Sequence, residues 1–108
     1  MSRKQKVVII NDSGQNFNEL KQYGEFYVLT KGFLNLNDIR SLAYNLRPKL
    51  ENIEPNDYIV VTGATTLSII VVYYVIKKFG RIKIITFYKK GLKYVLQELS
   101  EEDIMGEK

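Results

Sequence analysis

The chain predicts a small Rossmann-like α/β sandwich of three layers: four mainly parallel strands, with an antiparallel fifth strand at the C-terminal edge. Three observations carry this. Short β-branched runs alternate with stretches of helical spacing, which calls for right-handed crossovers and a parallel sheet covered by helices. The runs are nearly continuous in apolar residues, as strands buried on both faces are. And 108 residues with an apolar fraction of 45% suffice for one packed core.

The elements follow in order. Lys6-Val7-Val8-Ile9-Ile10 is an apolar run closed by the turn cluster Asn11-Asp12-Ser13-Gly14, hence a strand. Phe17 and Leu20 are spaced for a short helix over Asn16 to Tyr23, before Gly24. Phe26 to Thr30 is a second strand, closed by Lys31-Gly32. Asn37 is the expected cap of a helix that puts Ile39, Leu42, Ala43, Leu46, Leu50 and Ile53 on one face. Pro48 should kink or shorten it, because proline has no N–H for the helical ladder. Tyr58 to Thr62 is the third strand, and Leu67 to Phe79 a second long helix, capped by Thr65 or Thr66 and ended by Gly80 in a left-handed conformation. Ile82 to Phe87 is the fourth strand. Lys89-Lys90-Gly91 is a hairpin loop leading to an antiparallel edge strand, Leu92 to Leu96.

The nineteen residues between Asp57 and Lys77 carry no charge, the length of a transmembrane candidate. Their middle is Thr62-Gly63-Ala64-Thr65-Thr66, which leaves only the mostly apolar ten-residue stretch Leu67 to Ile76, too short to cross. Strand, turn and helix is therefore the reading, with no membrane. That second helix is apolar all round: Leu67, Ile70, Val71, Tyr74 and Val75 on one side, Ile69, Val72, Tyr73 and Ile76 on the other. A helix lying on one face of a sheet should show water a polar side. The expectation is a homodimer through Leu67 to Phe79, two-fold dimers being the commonest oligomers.

Composition removes most enzyme classes. Without cysteine there is no disulfide and no thiolate chemistry, and without histidine no imidazole base and no ordinary zinc site. The basic start, Met1 to Lys6, is followed by only four apolar residues, which argues against a signal peptide and for a cytoplasmic protein. Residues 1–97 read as a single α/β domain and 98–108 as an acidic C-terminal tail open to disorder. The charge is uneven: Tyr58 to Gln97 holds seven basic residues and no acid, and the tail reverses the sign.

Two candidate sites emerge. In open parallel sheets ligands bind outside the carboxyl ends of the strands. There the chain places Asn11, Asp12, Ser13 and Gly14, then Thr30 and Gly32, then Thr62, Gly63, Thr65 and Thr66. The last turn opens a helix, whose free amides and dipole favour an anion, so a nucleotide or other phosphate-bearing ligand is the expectation. No dinucleotide fingerprint or P-loop is present, the glycines and threonines also suit plain turns and caps, and the pattern singles out no cofactor. The second site is basic and aromatic: Lys77, Lys78, Arg81, Lys89, Lys90 and Lys93, with Tyr88 or Tyr94 stacking on single-stranded nucleic acid. Lysines on an edge strand also serve simply to guard that edge. Neither site includes a metal or a catalytic residue.

Asn11-Asp12-Ser13-Gly14, Leu29-Thr30-Lys31-Gly32, Asp57-Tyr58 and Thr62-Gly63 before an apolar helix resemble a group of small α/β proteins of phages and mobile elements. That group shares an N-D-S-G start, an L-T-x-G turn, a D-D-Y strand opening and a serine-or-threonine–glycine turn. Here Asn56 stands for the first aspartate of D-D-Y. The resemblance spans about Val7 to Phe87, implies the fold and a phage or mobile-element source, and carries over no catalytic residue. Thr62-Gly63-Ala64-Thr65-Thr66 is also similar to the T-G-G-T-K turn of dimeric domains that sense cyclic oligoadenylates, without its lysine. The leading expectation is a non-catalytic, homodimeric phosphate-ligand module. Its rivals are a nucleic-acid binder using residues 77–94 and a dimer that captures a host protein.

Overall fold

A computed structural model of the chain describes residues 5–32, 37–62 and 64–106. Strands β1 (Lys6–Asp12), β2 (Glu25–Lys31), β3 (Tyr58–Val60), β4 (Arg81–Tyr88) and β5 (Lys93–Ser100) form one sheet in the order β2-β1-β3-β4-β5. The first four are parallel and β5 runs antiparallel to β4. Helices α1 (Ile39–Leu50) and α2 (Thr65–Phe79) are the crossovers into β3 and β4, and a 3-10 segment (Asn18–Tyr23) connects β1 to β2. The chain leaves β1 toward β2 and then returns past it to β3, so the direction of winding reverses between β1 and β3.

Alternation along the strands builds two cores. Val8, Ile10, Leu29, Ile59 and Ile82 point to one face, where Leu46 and Leu50 of α1 and Leu67, Val71 and Val75 of α2 cover them. Val7, Ile9, Val60 and Ile85 point to the other, where, among the described residues, Phe17 just before the 3-10 segment and Leu20 within it are buried over them. The sheet is thus covered deeply on one side and thinly on the other.

Several boundaries move. The cap of α1 is Asp38, one residue after Asn37: its carboxylate accepts the Ser41 N–H at 3.2 Å. Pro48 sits in the last turn and the helix ends at Leu50, short of Ile53, which joins a following turn through its N–H to the Leu50 carbonyl. Gly80 caps α2 in the left-handed region, φ 77°, as expected. The first short helix narrows to Asn18–Tyr23 and has 3-10 geometry. Strand β5 runs four residues beyond Leu96, pairing Arg81 with Ser100, so the boundary expected at residue 97 falls inside a strand. Glu101–Met105 then form α3, with a capping box in which Ser100 and Asp103 bond each other's backbone N–H.

Candidate functional site

At the carboxyl edge of the sheet the expected ligand residues are largely occupied with one another. Asn11 is buried, and its amide donates to the Gly32 carbonyl at 3.2 Å. The Thr30 hydroxyl lies 2.8 Å from Asn11 Oδ1 and 2.7 Å from the Ile10 carbonyl, one proton between two acceptors. Asp12 Oδ1 accepts the Gly14 N–H, and the Ser13 N–H goes to Gln15 Oε1. Asn11, Thr30 and Gly32 therefore tie the carboxyl ends of β1 and β2 side by side, and Asp12 to Gly14 close a local turn after β1. Gly63 lies outside the described residues. On its flanks, Thr62 Oγ1 accepts the Ala64 N–H at 3.4 Å, and Ala64, not Thr65 or Thr66, is the N-cap position of α2. Both threonines fall in the first helical turn, exposed, because α2 begins as early as Thr65.

A cleft of 660 Å³ opens beside this edge, on the thinly covered face. Phe17, Phe87 and Tyr94 supply its aromatic walls, and Thr62, Thr86, Gln15, Asn16, Glu19 and Lys89 its polar groups. Its shape follows from the pairing: Phe87 lies opposite Tyr94 across β4 and β5, their rings meeting edge-on at 5.1 Å. The Tyr94 hydroxyl donates to the Asn16 carbonyl at 3.0 Å, fixing the loop after β1 against the hairpin. Burial, and then the nearby Glu19 carboxylate, raise the Tyr94 pKa, so the phenol stays a proton donor at neutral pH.

The cleft takes Thr62 from the first candidate site and Lys89 and Tyr94 from the second. The rest of the basic set is divided. Lys77, Lys78 and Arg81 lie at the opposite end of β4 from Lys89, Lys90 and Lys93, roughly 23 Å away at the usual rise per strand residue. Lys78 bonds the Tyr74 hydroxyl at 3.0 Å, and Arg81 bonds Asn56 at 3.0 Å. Tyr88, half exposed, alternates to the face away from the cleft; Phe87 takes the place expected for it. Gln15, Asn16, Phe17, Glu19 and Thr86 were not among the expected residues. Strict alternation along β4 from Ile85 would have found Phe87; the loop residues had no sequence signal.

A second depression, a groove of 540 Å³, runs along α2 on the deeply covered face and ends at α3. Ile69, Val72, Tyr73 and Ile76 line it with Ile104 and Met105. Among the described residues no group of three histidine, cysteine, aspartate or glutamate side chains is placed to hold a metal, and no helix is long and apolar enough to cross a membrane.

Fold and cleft define a small, mainly parallel α/β domain with an open pocket at the carboxyl edge of its sheet. A family model described as phage Pam3 gp32-like protein matches residues 3–101, and the chain belongs to that family. No curated protein and no solved structure matches it.

Proposed function

We propose that this is a non-catalytic module that binds a nucleotide or similar phosphate-bearing ligand in the cleft between the loop after β1 and the β4–β5 hairpin. The observation that carries the reading is the chemistry of the lining: aromatic walls for a base, Lys89 for a phosphate, and Glu19 with two threonine hydroxyls for sugar hydroxyls. The reversal of strand order between β1 and β3 supports it, being the place where Rossmann-like doubly wound sheets bind ligands. With neither histidine nor cysteine in the chain, the ionisable groups of the cleft are Glu19, Lys89 and Tyr94, which suit holding a ligand better than proton transfer at neutral pH.

The test is thermal stability with mononucleotides, cyclic oligonucleotides, dinucleotides and short DNA and RNA, each at low and moderate salt. One small ligand should raise Tm at both salt concentrations, and Lys89→Ala should weaken it roughly tenfold through loss of a charge-assisted hydrogen bond. Phe87→Ala should weaken it too, while Lys89→Ala keeps the unliganded Tm and Phe87→Ala, which loses the ring contact with Tyr94, lowers it by a few degrees without unfolding the domain. A flat panel, or affinity unchanged in both variants, would sink the proposal. A shift seen only with oligonucleotides and lost with salt would transfer the site to nucleic acid.

A further inference from the structure

The groove on α2 is a surface that the ligand reading does not use; it shares only Val61 and Thr62 with the cleft. Its apolar character is concentrated: Ile69 is 64% exposed, Tyr73 66%, Ile104 55% and Met105 76%. Ile69, Val72, Tyr73 and Ile76 stand at i, i+3, i+4 and i+7, the stripe of a helix that packs against another helix. Its own core takes only part of this stripe: Leu67, Val71 and Val75 are buried against the sheet, Val72 and Ile76 are half-buried beside them, and Ile69 and Tyr73 stand clear.

We propose that a second copy of this chain covers the groove, with α2 packed antiparallel on α2 across a two-fold axis near Val72 and Tyr73. The stripe is centred between those two residues, so the two-fold sets Ile69 against the partner's Ile76 and Val72 against the partner's Tyr73. Each stripe then matches itself. Charge agrees with this arrangement. Helix α2 has no acidic residue and ends in Lys77 and Lys78, which the antiparallel order keeps at opposite ends of the interface. Glu101 lines the groove near that end, its N–H bonded to the Gly80 carbonyl. The two-fold brings the N-terminus of the other copy's α2 toward Glu101, and that terminus has Ala64 as N-cap and no side-chain cap bond. A carboxylate there meets the positive end of a helix dipole.

The absence of cysteine makes the geometry directly testable. The full chain should sediment at twice the 12.6 kDa of one protomer at high micromolar concentration. Tyr73→Glu, at an exposed site, should give a monomer with an unchanged far-UV spectrum. Under mild oxidation Tyr73→Cys, next to the axis, should form a disulfide between copies. Ile69→Cys alone should not, since its two positions lie about 10 Å apart along the helices; an Ile69→Cys, Ile76→Cys double variant should. A monomeric wild type overturns the proposal. So does a Tyr73→Glu protein that remains dimeric, or a dimer in which Leu92→Cys on the hairpin cross-links and Tyr73→Cys does not.

Discussion

Asp57 is 3% exposed and does three things at the amino edge of the sheet. Its two carboxylate oxygens accept the N–H groups of Lys6 and Glu54 at 2.9 and 2.8 Å, and the Lys6 ammonium pairs with it at 2.9 Å. It joins the start of β1 to the start of β3. Asp57→Ala should cost about 3 kcal/mol or more, since it strands two N–H groups and a half-buried cation, and lower Tm by roughly 15 °C in a calorimeter. Burial pulls the Lys6 pKa down, but the hydrogen bonds and charges of Glu54 and Asp57 together outweigh it and hold the value above the usual 10.5. This stabilisation is complete below pH 10.5 and drains away as pH rises beyond it; urea midpoints on either side should show the loss in wild type and not in Lys6→Met. Gly24 is the other residue with little freedom: at φ 153°, an added Cβ would overlap the Gln5 carbonyl. Gly24→Ala should therefore cost about 3 kcal/mol in equilibrium unfolding. The sequence placed Asp57 at a strand start, away from the carboxyl edge, which is where it lies. What it clamps was not legible, because Lys6 and Glu54 come to it through the tertiary fold.

At the scale of elements, what was legible had a period or a local signature. The four parallel strands and α2 stood out because burial writes apolar runs, and α1 because its apolar residues fall on one helical face. The far half of β5 did not, since an edge strand is paired on one side only and tolerates Gln97, Glu98 and Ser100. Helix α3 did carry a signature, Ser100-x-x-Asp103, easily read as part of an acidic tail. The bonds from Ser100 hold the Asp103 pKa below its ordinary 3.8, so this cap is intact above that pH and fails as pH falls below it. Ser100→Ala should speed amide exchange at Asp103 at neutral pH while leaving β4 protected; equal exchange in both proteins would refute the cap's role. In the hairpin, Leu92 has φ 49° and a side chain 77% exposed. Leu92→Gly should relieve that backbone and raise stability by about 0.5–1 kcal/mol, read as a higher urea midpoint.

For the whole molecule, the strand order decides which residues meet, and spacing along the chain does not contain it. The basic stretch from Lys77 to Lys93 looked continuous because it is contiguous; laid along β4, it separates to two ends of the domain. The turns after β1 and β2 did converge, yet mainly on each other, while Thr62 after β3 faces the cleft, which formed one step aside, where the hairpin folds over the β1 loop. The same order bears on how the domain forms. Three of its strand pairs are parallel and wait on crossovers, whereas β4 and β5 face each other across a turn closed by the Leu92 N–H and the Lys89 carbonyl. That hairpin is the one pairing a nascent chain can make cheaply, and it is translated after β1, β2 and β3. The ribosome thus releases β1 and β2 long before their strongest local scaffold exists, and φ-values should be high across β4 and β5 and near zero in β2.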